Sequence, residues 1–251
     1  MSGRVGSITT GIITDGLVFN MDAANRASYP KSGTTVTDTI GNLTGSMVGT
    51  SFNITDNTTF NFDGIDDRID LPNNIPVLTY GTLSIWFKIP SNTSIPTHNL
   101  FSLYEGNSNR FSLSIGEATS YYSNESLMAL FWNGGSSSNI SYAPVTREGH
   151  THYFDDTWHN IVLTIDSGPA PRTKLYIDNV NKTLSYPFGS NTGVGFTNLS
   201  PSAVRIGDRF YDGADGQYFE GDMGPIQIYN RALSATEVLH NYNALAGRFG
   251  L

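Results

Sequence analysis

The sequence lacks cysteine altogether and has few charged residues. The absence of cysteine excludes a disulfide framework and any thiolate metal site. Charged residues make up 14% of the chain, against about 25% in an average globular protein. Polarity comes instead from Ser, Thr, Asn and 26 Gly, so the sequence indicates a turn-rich β protein with a surface of hydroxyl and amide groups.

Lys and Arg form no cluster, and the formal net charge is −8. A nucleic-acid-binding protein normally carries a basic face, and an acidic protein is repelled by anionic lipid. We therefore expect neither nucleic acid nor a membrane among the partners.

Long apolar runs are also missing. No stretch approaches the roughly 18 apolar residues of a transmembrane helix, and residues 1–11 (MSGRVGSITTG) lack the apolar region of a secretory signal. We expect the protein to be made in a cytosol and to act there, or to be assembled there into a larger object.

The length of 251 residues suits one all-β domain, since sandwiches often reach about 200–250 residues. We predict an extended N-terminal arm over residues 1–15 and a single sandwich over residues 16–251. An extended segment with apolar side chains can add to the exposed sheet edge of a partner. The arm is therefore predicted to tether the domain to a partner through Ile8, Ile12 and Ile13.

Strict alternation of apolar and polar residues is clearest over residues 82–89, where Leu83, Ile85 and Phe87 share one face. Short segments of this kind, separated by turns, are typical of a β-sandwich. The predicted strands cover residues 17–21, 59–63, 68–71, 82–89, 100–104, 110–115, 127–132, 158–166, 174–178, 203–206 and 224–229.

Only the C-terminal region has a helical pattern. Ser234 and Glu237 form a capping-box pair, and apolar residues follow at helical spacing up to Ala246. This pattern predicts a short C-terminal helix over residues 235–246 that covers an opening in the sandwich.

Several segments in this order resemble the laminin-G-like, concanavalin-A-like jelly-roll family. They are residues 62–69 (FDGIDDRI), 83–88 (LSIWFK), 158–166 (WHNIVLTID), 174–178 (KLYID) and 226–234 (IQIYNRALS). The resemblance implies an all-β fold, a two-sheet antiparallel jelly-roll sandwich with one short C-terminal helix. It implies less about activity, because this fold includes lectins, glycanases, adhesion modules and capsid proteins.

Residues 15–25 (DGLVFNMDAAN) and 237–243 (EVLHNYN) resemble virion proteins of tailed bacteriophages. This resemblance implies a non-enzymatic protein on the virion surface, a capsid decoration or fibre-associated protein that contacts capsid or fibre proteins as a homo-oligomer or in many copies. The alternative is a lectin-like module that recognises host surface glycans.

Candidate catalytic residues are few. A retaining glycosidase needs two carboxyl groups about 5–5.5 Å apart. Glu220 and Asp222 alternate on one strand, but Gly224 stands where a third acid would follow. His150 and His152 could face one side of a strand, yet no third zinc ligand is evident. We therefore predict no enzymatic activity.

Calcium is the best candidate ion, although no cofactor is required by the predicted function. Many proteins of the resembled family hold a structural Ca²⁺ where the first and last strands meet. The ion prefers carboxylate and carbonyl oxygens. Asp22, Asp63 and Asp222 are the predicted ligands; the alternative is that Asp63 stabilises a turn and Asp222 is solvated.

Aromatic and amide side chains in loops are the candidates for glycan or partner binding, because sugars stack on aromatic rings. The predicted binding residues are Tyr121, Tyr122, Tyr153, Tyr211, Asp212 and Asp215. Trp86, Trp132 and Trp158 lie inside predicted strands and are expected to be buried.

Overall fold

The structure is a computed structural model that describes residues 11–54, 58–76, 80–93, 97–106, 109–116, 126–133, 140–143, 153–168, 172–184, 200–210 and 214–251. The strands in these segments are, in chain order, β1 (Leu17–Met21), β2 (Thr35–Thr37), β3 (Thr44–Val48), β4 (Ser51–Asn53), β5 (Thr59–Asp63), β6 (Arg68–Leu71), β7 (Gly81–Lys88), β8 (Thr97–Gly106), β9 (Asn109–Gly116), β10 (Ser126–Asn133), β11 (Ile140–Ala143), β12 (Trp158–Ile165), β13 (Thr173–Ile177), β14 (Val180–Asn181), β15 (Ala203–Ile206) and β16 (Glu220–Tyr229). Helix α1 (Ala235–Ala246) and a 3-10 turn (Gly247–Phe249) complete the chain.

The first sheet has the strand order β14-β13-β12-β7-β16-β5-β4, and β1 also pairs with β16. All of its pairings are antiparallel. β5 pairs with the start of β16 and β1 with its end, so these two strands share one edge of β16. A register shift between Met223 and Ile226 separates the two halves of β16 where β7 pairs with it.

The second sheet has the order β11-β10-β9-β8-β15-β6-β3-β2, and its pairings are also antiparallel. The two sheets bury one continuous hydrophobic core between them, which includes Phe19, Phe87, Phe111 and Ile206. The predicted two-sheet antiparallel sandwich is therefore confirmed.

Helix α1 packs on the outer face of the first sheet. Val238 joins a buried cluster with Tyr229 and Val162. Further along, Ala246 and Phe249 pack with Trp86 and Trp158 in a separate cluster. The helix thus covers the outside of a sheet, not an opening between the sheets, and this is why residues of β7 and β12 are buried on both faces.

Gly224 allows this packing. A Cβ atom at this position would lie 2.8 Å from Cζ of Phe249 and 3.0 Å from Cβ of Trp86. The Phe249 ring stacks on Trp86 with centroids 4.5 Å apart. The absence of a side chain at residue 224, where a third acid would follow Glu220 and Asp222, leaves room for the C-terminal aromatic ring.

The predicted helix is confirmed, including the reciprocal capping bonds between Ser234 and Glu237. Trp86 and Trp158 are buried, as expected, but under the C-terminal residues instead of between the sheets. The prediction missed the short strands β2, β3, β4, β11 and β14. Among the described residues, no helix is both long enough and apolar enough to cross a lipid bilayer.

Candidate ligand-binding face

The outer face of the second sheet carries a row of polar side chains across adjacent strands. The strand register places Ser46 opposite Asp70, Asp70 opposite Arg205, Arg205 opposite Ser102, and Ser102 opposite Ser112. Neighbouring residues in each strand, such as Leu103 and Val204, point the other way into the core. We call this row, with the described residues 207–210 and 214–217 beside it, the polar face.

Charged residues of opposite sign meet at the centre of the polar face. Nη1 of Arg205 lies 3.0 Å from Asp70, 3.4 Å from Asp208 and 3.5 Å from Asp215. Arg68 contacts Asp70 at 3.1 Å and Asp215 at 3.3 Å. Two guanidinium groups therefore balance most of the charge of three carboxylates.

Asp208 is fully buried in this cluster. Burial, with a smaller contribution from the charge of Asp215, raises the pKa of Asp208 to about 6 against the opposing hydrogen bond from the N–H of Gly216. The carboxylate of Asp208 thus holds the backbone at Gly216 while remaining easier to protonate than an ordinary aspartate.

Two aromatic rings border the charged cluster. Tyr104 and Phe210 meet edge to face with centroids 5.1 Å apart. The guanidinium carbon of Arg205 lies 5.3 Å from the Phe210 ring centre. Both rings are half-buried, so part of each remains accessible to solvent.

Hydroxyl and amide groups continue the polar face towards β9. The hydroxyl of Ser102 donates to the carbonyl of Asp208 at 2.8 Å, and the amide of Asn99 donates to the Ser114 hydroxyl at 3.2 Å. Asn99 Oδ1, Ser112 Oγ and Gln217 Oε1 are buried without a hydrogen-bond partner. Buried polar atoms are nearly always hydrogen-bonded, so these three acceptors have unused hydrogen-bonding capacity.

Of the binding residues predicted from sequence, Asp215 lies in the charged cluster. Tyr153 is buried instead, with its ring edge against His159 at 5.1 Å. Tyr121, Tyr122, Tyr211 and Asp212 lie outside the described residues, as do His150 and His152. The role of Arg205 was missed, although a stretch rich in charged residues from 205 to 215 is a usable signal in a chain with so few charges.

The structure does not bring Asp22, Asp63 and Asp222 together as a metal centre. Asp22 accepts from Arg248 Nη1 at 2.8 Å, and Arg248 Nη2 donates to the carbonyl of Thr58 at 2.9 Å. A guanidinium thus takes up the carboxylate and carbonyl oxygens that a cation would need there.

Asp222 is held by its own set of partners. Asn53, Thr59 and Asn61 donate to its Oδ1, and Lys88 lies 3.6 Å from its Oδ2. These contacts make Asp222 part of the polar packing on the first sheet, not a solvated group. Its neighbour Glu220 accepts from the hydroxyl of Thr93.

Asp63 lies near two other acids. Asp63, Asp66 and Asp67 form the only group of three or more metal-ligating side chains, within the part of the chain that the structure describes, whose ligand atoms are all within 4.8 Å of one another. Oδ2 of Asp67 accepts from the N–H of Asp63, and Oδ1 of Asp63 accepts from the N–H of Ile65. These bonds stabilise the turn between β5 and β6.

The described end of the predicted arm packs on its own domain. Ile12 and Ile13 contact the cluster under helix α1. The N–H of Ile13 donates to Asn241, and the hydroxyl of Tyr229 donates to the carbonyl of Ile13. Ile12 and Ile13 are therefore engaged within the chain, and Ile8 lies outside the described residues.

A two-sheet antiparallel sandwich with a polar outer face is the architecture of concanavalin-A-like domains. The family model for the concanavalin A-like lectin/glucanases superfamily, Laminin_G_3, matches residues 63–239. The chain belongs to this family. A search of curated proteins finds no match.

Several solved structures share the fold. Domain 4 of AbnA, an extracellular arabinanase of Geobacillus stearothermophilus solved with arabinotriose, aligns with a TM-score of 0.56 and 17% identity over 88% of this chain and 96% of that domain. The binding domain of botulinum neurotoxin serotype C1 aligns with a TM-score of 0.63 and 14% identity over 92% of this chain, which spans 52% of that domain. A Trypanosoma rangeli sialidase mutant aligns with a TM-score of 0.59 and 15% identity, over 96% of this chain and 35% of the sialidase. At these identities the likeness shows the fold alone.

Proposed function

We propose that this protein is a non-enzymatic carbohydrate-binding domain that holds a glycan on its polar face. The observation that carries the proposal is the arrangement of Arg205, Tyr104 and Phe210: a guanidinium fixed by carboxylates beside two half-buried aromatic rings. Such a surface offers donors and acceptors for hydroxyl groups next to an apolar ring face.

The chemistry of Arg205 suits a neutral or weakly acidic glycan. Its three carboxylate contacts all use Nη1, which leaves Nη2 and Nε as donors for a ligand. Asp70 and Asp215 can accept from sugar hydroxyls, and the face of Phe210 can pack on the CH groups of a sugar ring. The solved complex of the similarly folded arabinanase domain with arabinotriose supports this class of ligand.

A glycan array with the purified protein tests the proposal. We expect binding to a defined set of oligosaccharides, unchanged by EDTA because the proposed contacts are made by Arg205 and two aromatic rings. Arg205→Gln should remove binding. Lys174→Gln, which removes a cation from an exposed position on β13 of the first sheet, should retain it. An array without binding, or equal binding by the two variants, would reject the proposal.

We also propose that the domain is displayed in many copies on a virus particle, in contact with capsid or fibre proteins. Residues 15–25 and 237–243, which resemble tailed-phage virion proteins, support this location. Many copies would strengthen weak glycan contacts through avidity. Residues 1–10 would provide the tether, because residues 11–13 already pack on their own domain.

Mass spectrometry of purified particles with copy counting tests the virion proposal. Hundreds of copies would indicate the shell, and a handful the tail; absence from particles would refute the location without affecting glycan binding. Deleting residues 1–10 should prevent incorporation while leaving array binding intact. Undiminished incorporation of the deletion variant would refute the tether.

A further inference from the structure

A cavity lies on the outer face of the first sheet, on the opposite side of the sandwich from the polar face. It has a volume of about 270 Å³ and opens between residues 11–12, the β1/β16 pair and helix α1. Ile12, Asn20, Asp22, Pro225, Gln227 and Ala244 are among its lining residues. One water molecule occupies about 30 Å³ of liquid volume, so the cavity has room for one small organic ring.

The floor of this cavity is polar, and one of its acceptor atoms lacks a hydrogen-bond partner. Asn20 and Gln227 face each other across the β1/β16 pair, and Asp22, just after the end of β1, also lines the cavity. Gln227 is 2% exposed, and its Oε1 has no hydrogen-bond partner. An unsatisfied buried acceptor destabilises a protein, so this atom favours a ligand that can donate a hydrogen bond.

The charge of the floor indicates a neutral ligand. Asp22 is paired with Arg248 at 2.8 Å, so its carboxylate charge is already balanced. The side chains of Ile12, Pro225 and Ala244 supply apolar walls. A ring with hydroxyl groups on its rim and CH groups on its faces matches both parts of the lining.

The wall formed by residues 11–13 is held in place by hydrogen bonds within the ligand-free protein. The ring nitrogen Nε2 of His240 lies 2.9 Å from the carbonyl oxygen of Gly11, and Ile13 is bonded to Asn241 and Tyr229. Because the wall is held by helix α1 and β16, the cavity is preformed, as small-molecule sites usually are.

We propose that this cavity is a binding site for a single neutral sugar ring or a comparable polyol, separate from the glycan site on the polar face. Gln227 Oε1 and Asn20 contact its hydroxyl groups, and Pro225 and Ile12 pack on its CH groups. The site is independent of the proposed function and requires no residue of the polar face.

NMR titration of the isotopically labelled protein with D-glucose, D-galactose or glycerol tests the site. At least one sugar should shift the side-chain amide signals of Gln227 and Asn20 and the backbone amide of Ile12, and glycerol should bind more weakly because it has no ring face. Absence of these shifts with both sugars at saturating concentration would overturn the proposal and leave only water in the cavity.

Two variants locate the binding. Ala244→Phe places a ring in the cavity from a half-exposed helix position and should remove the shifts, whereas Asn243→Phe adds the same ring at the exposed neighbouring position and should keep them. Gln227→Met should raise the melting temperature of the ligand-free protein and weaken sugar binding about tenfold. Sugar-induced shifts that persist in Ala244→Phe would overturn the proposal. Arg205→Gln, on the polar face, should leave the sugar-induced shifts unchanged even if the polar face binds no glycan.

Discussion

Nδ1 of His159 lies 2.7 Å from Oδ2 of Asp178, which ties the start of β12 to the turn between β13 and β14. The other carboxylate oxygen of Asp178 accepts from the N–H of Asn160 at 2.8 Å. Asp178 has a φ of +49°, a conformation that Asp and Asn tolerate better than most residues. One carboxylate therefore fixes both the turn and the histidine.

This pair makes stability depend on pH. Burial lowers the pKa of His159, but the hydrogen bond and charge of Asp178, with help from Asp155, outweigh burial and raise it above 6.5. The stabilisation is then fully present below pH 6.5 and is lost as pH rises through the higher pKa of the folded state. We expect the free energy of unfolding, measured by urea titration, to fall as pH rises above about 6.5.

Asp178→Asn is the matched variant for this prediction. It keeps a side chain suited to the positive φ and removes the charge that raises the pKa of His159. The variant should be less stable than the wild type at pH 6 and should approach it at pH 8. Equal pH slopes for the two proteins would show that the pair does not titrate as described.

Asp208 gives a second pH dependence, at lower pH. Because burial raises its pKa to about 6, its contribution to stability is complete below its unfolded value of about 4 and decreases as pH rises through about 6. Asp208→Asn should remove this slope and raise the free energy of unfolding at pH 7 by about 1–3 kcal/mol. Asp215→Asn removes a neighbouring charge that raises the pKa of Asp208, together with the ion pairs to Arg68 and Arg205, and should reduce the slope without abolishing it. A flat wild-type profile from pH 4 to pH 6 would contradict the prediction.

Glu237 stabilises the start of helix α1. Hydrogen bonds from Arg231, and then from the N–H of Ser234, lower the pKa of Glu237 to about 2. The stabilisation is present above the ordinary glutamate pKa and is lost as pH falls through about 2. Glu237→Gln should lower the free energy of unfolding by about 1 kcal/mol at pH 7. Ser234→Ala should lower the free energy of unfolding by a similar amount because it removes the N-cap hydrogen bond, but it should keep the ion pair between Arg231 and Glu237. If neither variant changes urea unfolding, the capping box does not stabilise the domain.

The space at Gly224 should be essential for packing of the C-terminal residues. Gly224→Ala places a methyl group 2.8 Å from Phe249 and should destabilise the protein by about 1–3 kcal/mol. Displacement of Phe249 from Trp86 should also change tryptophan fluorescence. Gly247→Ala is the control, because a Cβ atom there meets nothing within 4 Å. Equal stability of the two variants would contradict the account.

The sequence predicted those parts of the fold that have strong periodicity. Strands such as β7 and β12 alternate cleanly, and α1 carries its own capping signal. The short strands β2 and β4 contain three residues each, too few for alternation to be distinguished from a turn-rich segment. Their structure comes from pairing with β3 and β5.

Less of the candidate site than of the fold could be predicted from the sequence. Asp215 could be predicted because it lies in a polar segment, but Arg205 comes from β15, whereas Arg68 and Asp70 come from β6. Only their register in the folded sheet brings these side chains together. The same holds for Asp22, whose partner Arg248 is distant in sequence and could not be inferred from local pattern.

Glycan binding by the polar face is tested most directly by calorimetric titration of the best-bound array oligosaccharide into the wild type, Phe210→Ala and Lys174→Gln. Phe210 is half-buried, so its replacement should leave the fold intact, as circular dichroism can verify. Loss of the ring should weaken binding about tenfold, or about 1.4 kcal/mol, and Lys174→Gln should bind as the wild type does. Unchanged affinity in Phe210→Ala would contradict the account.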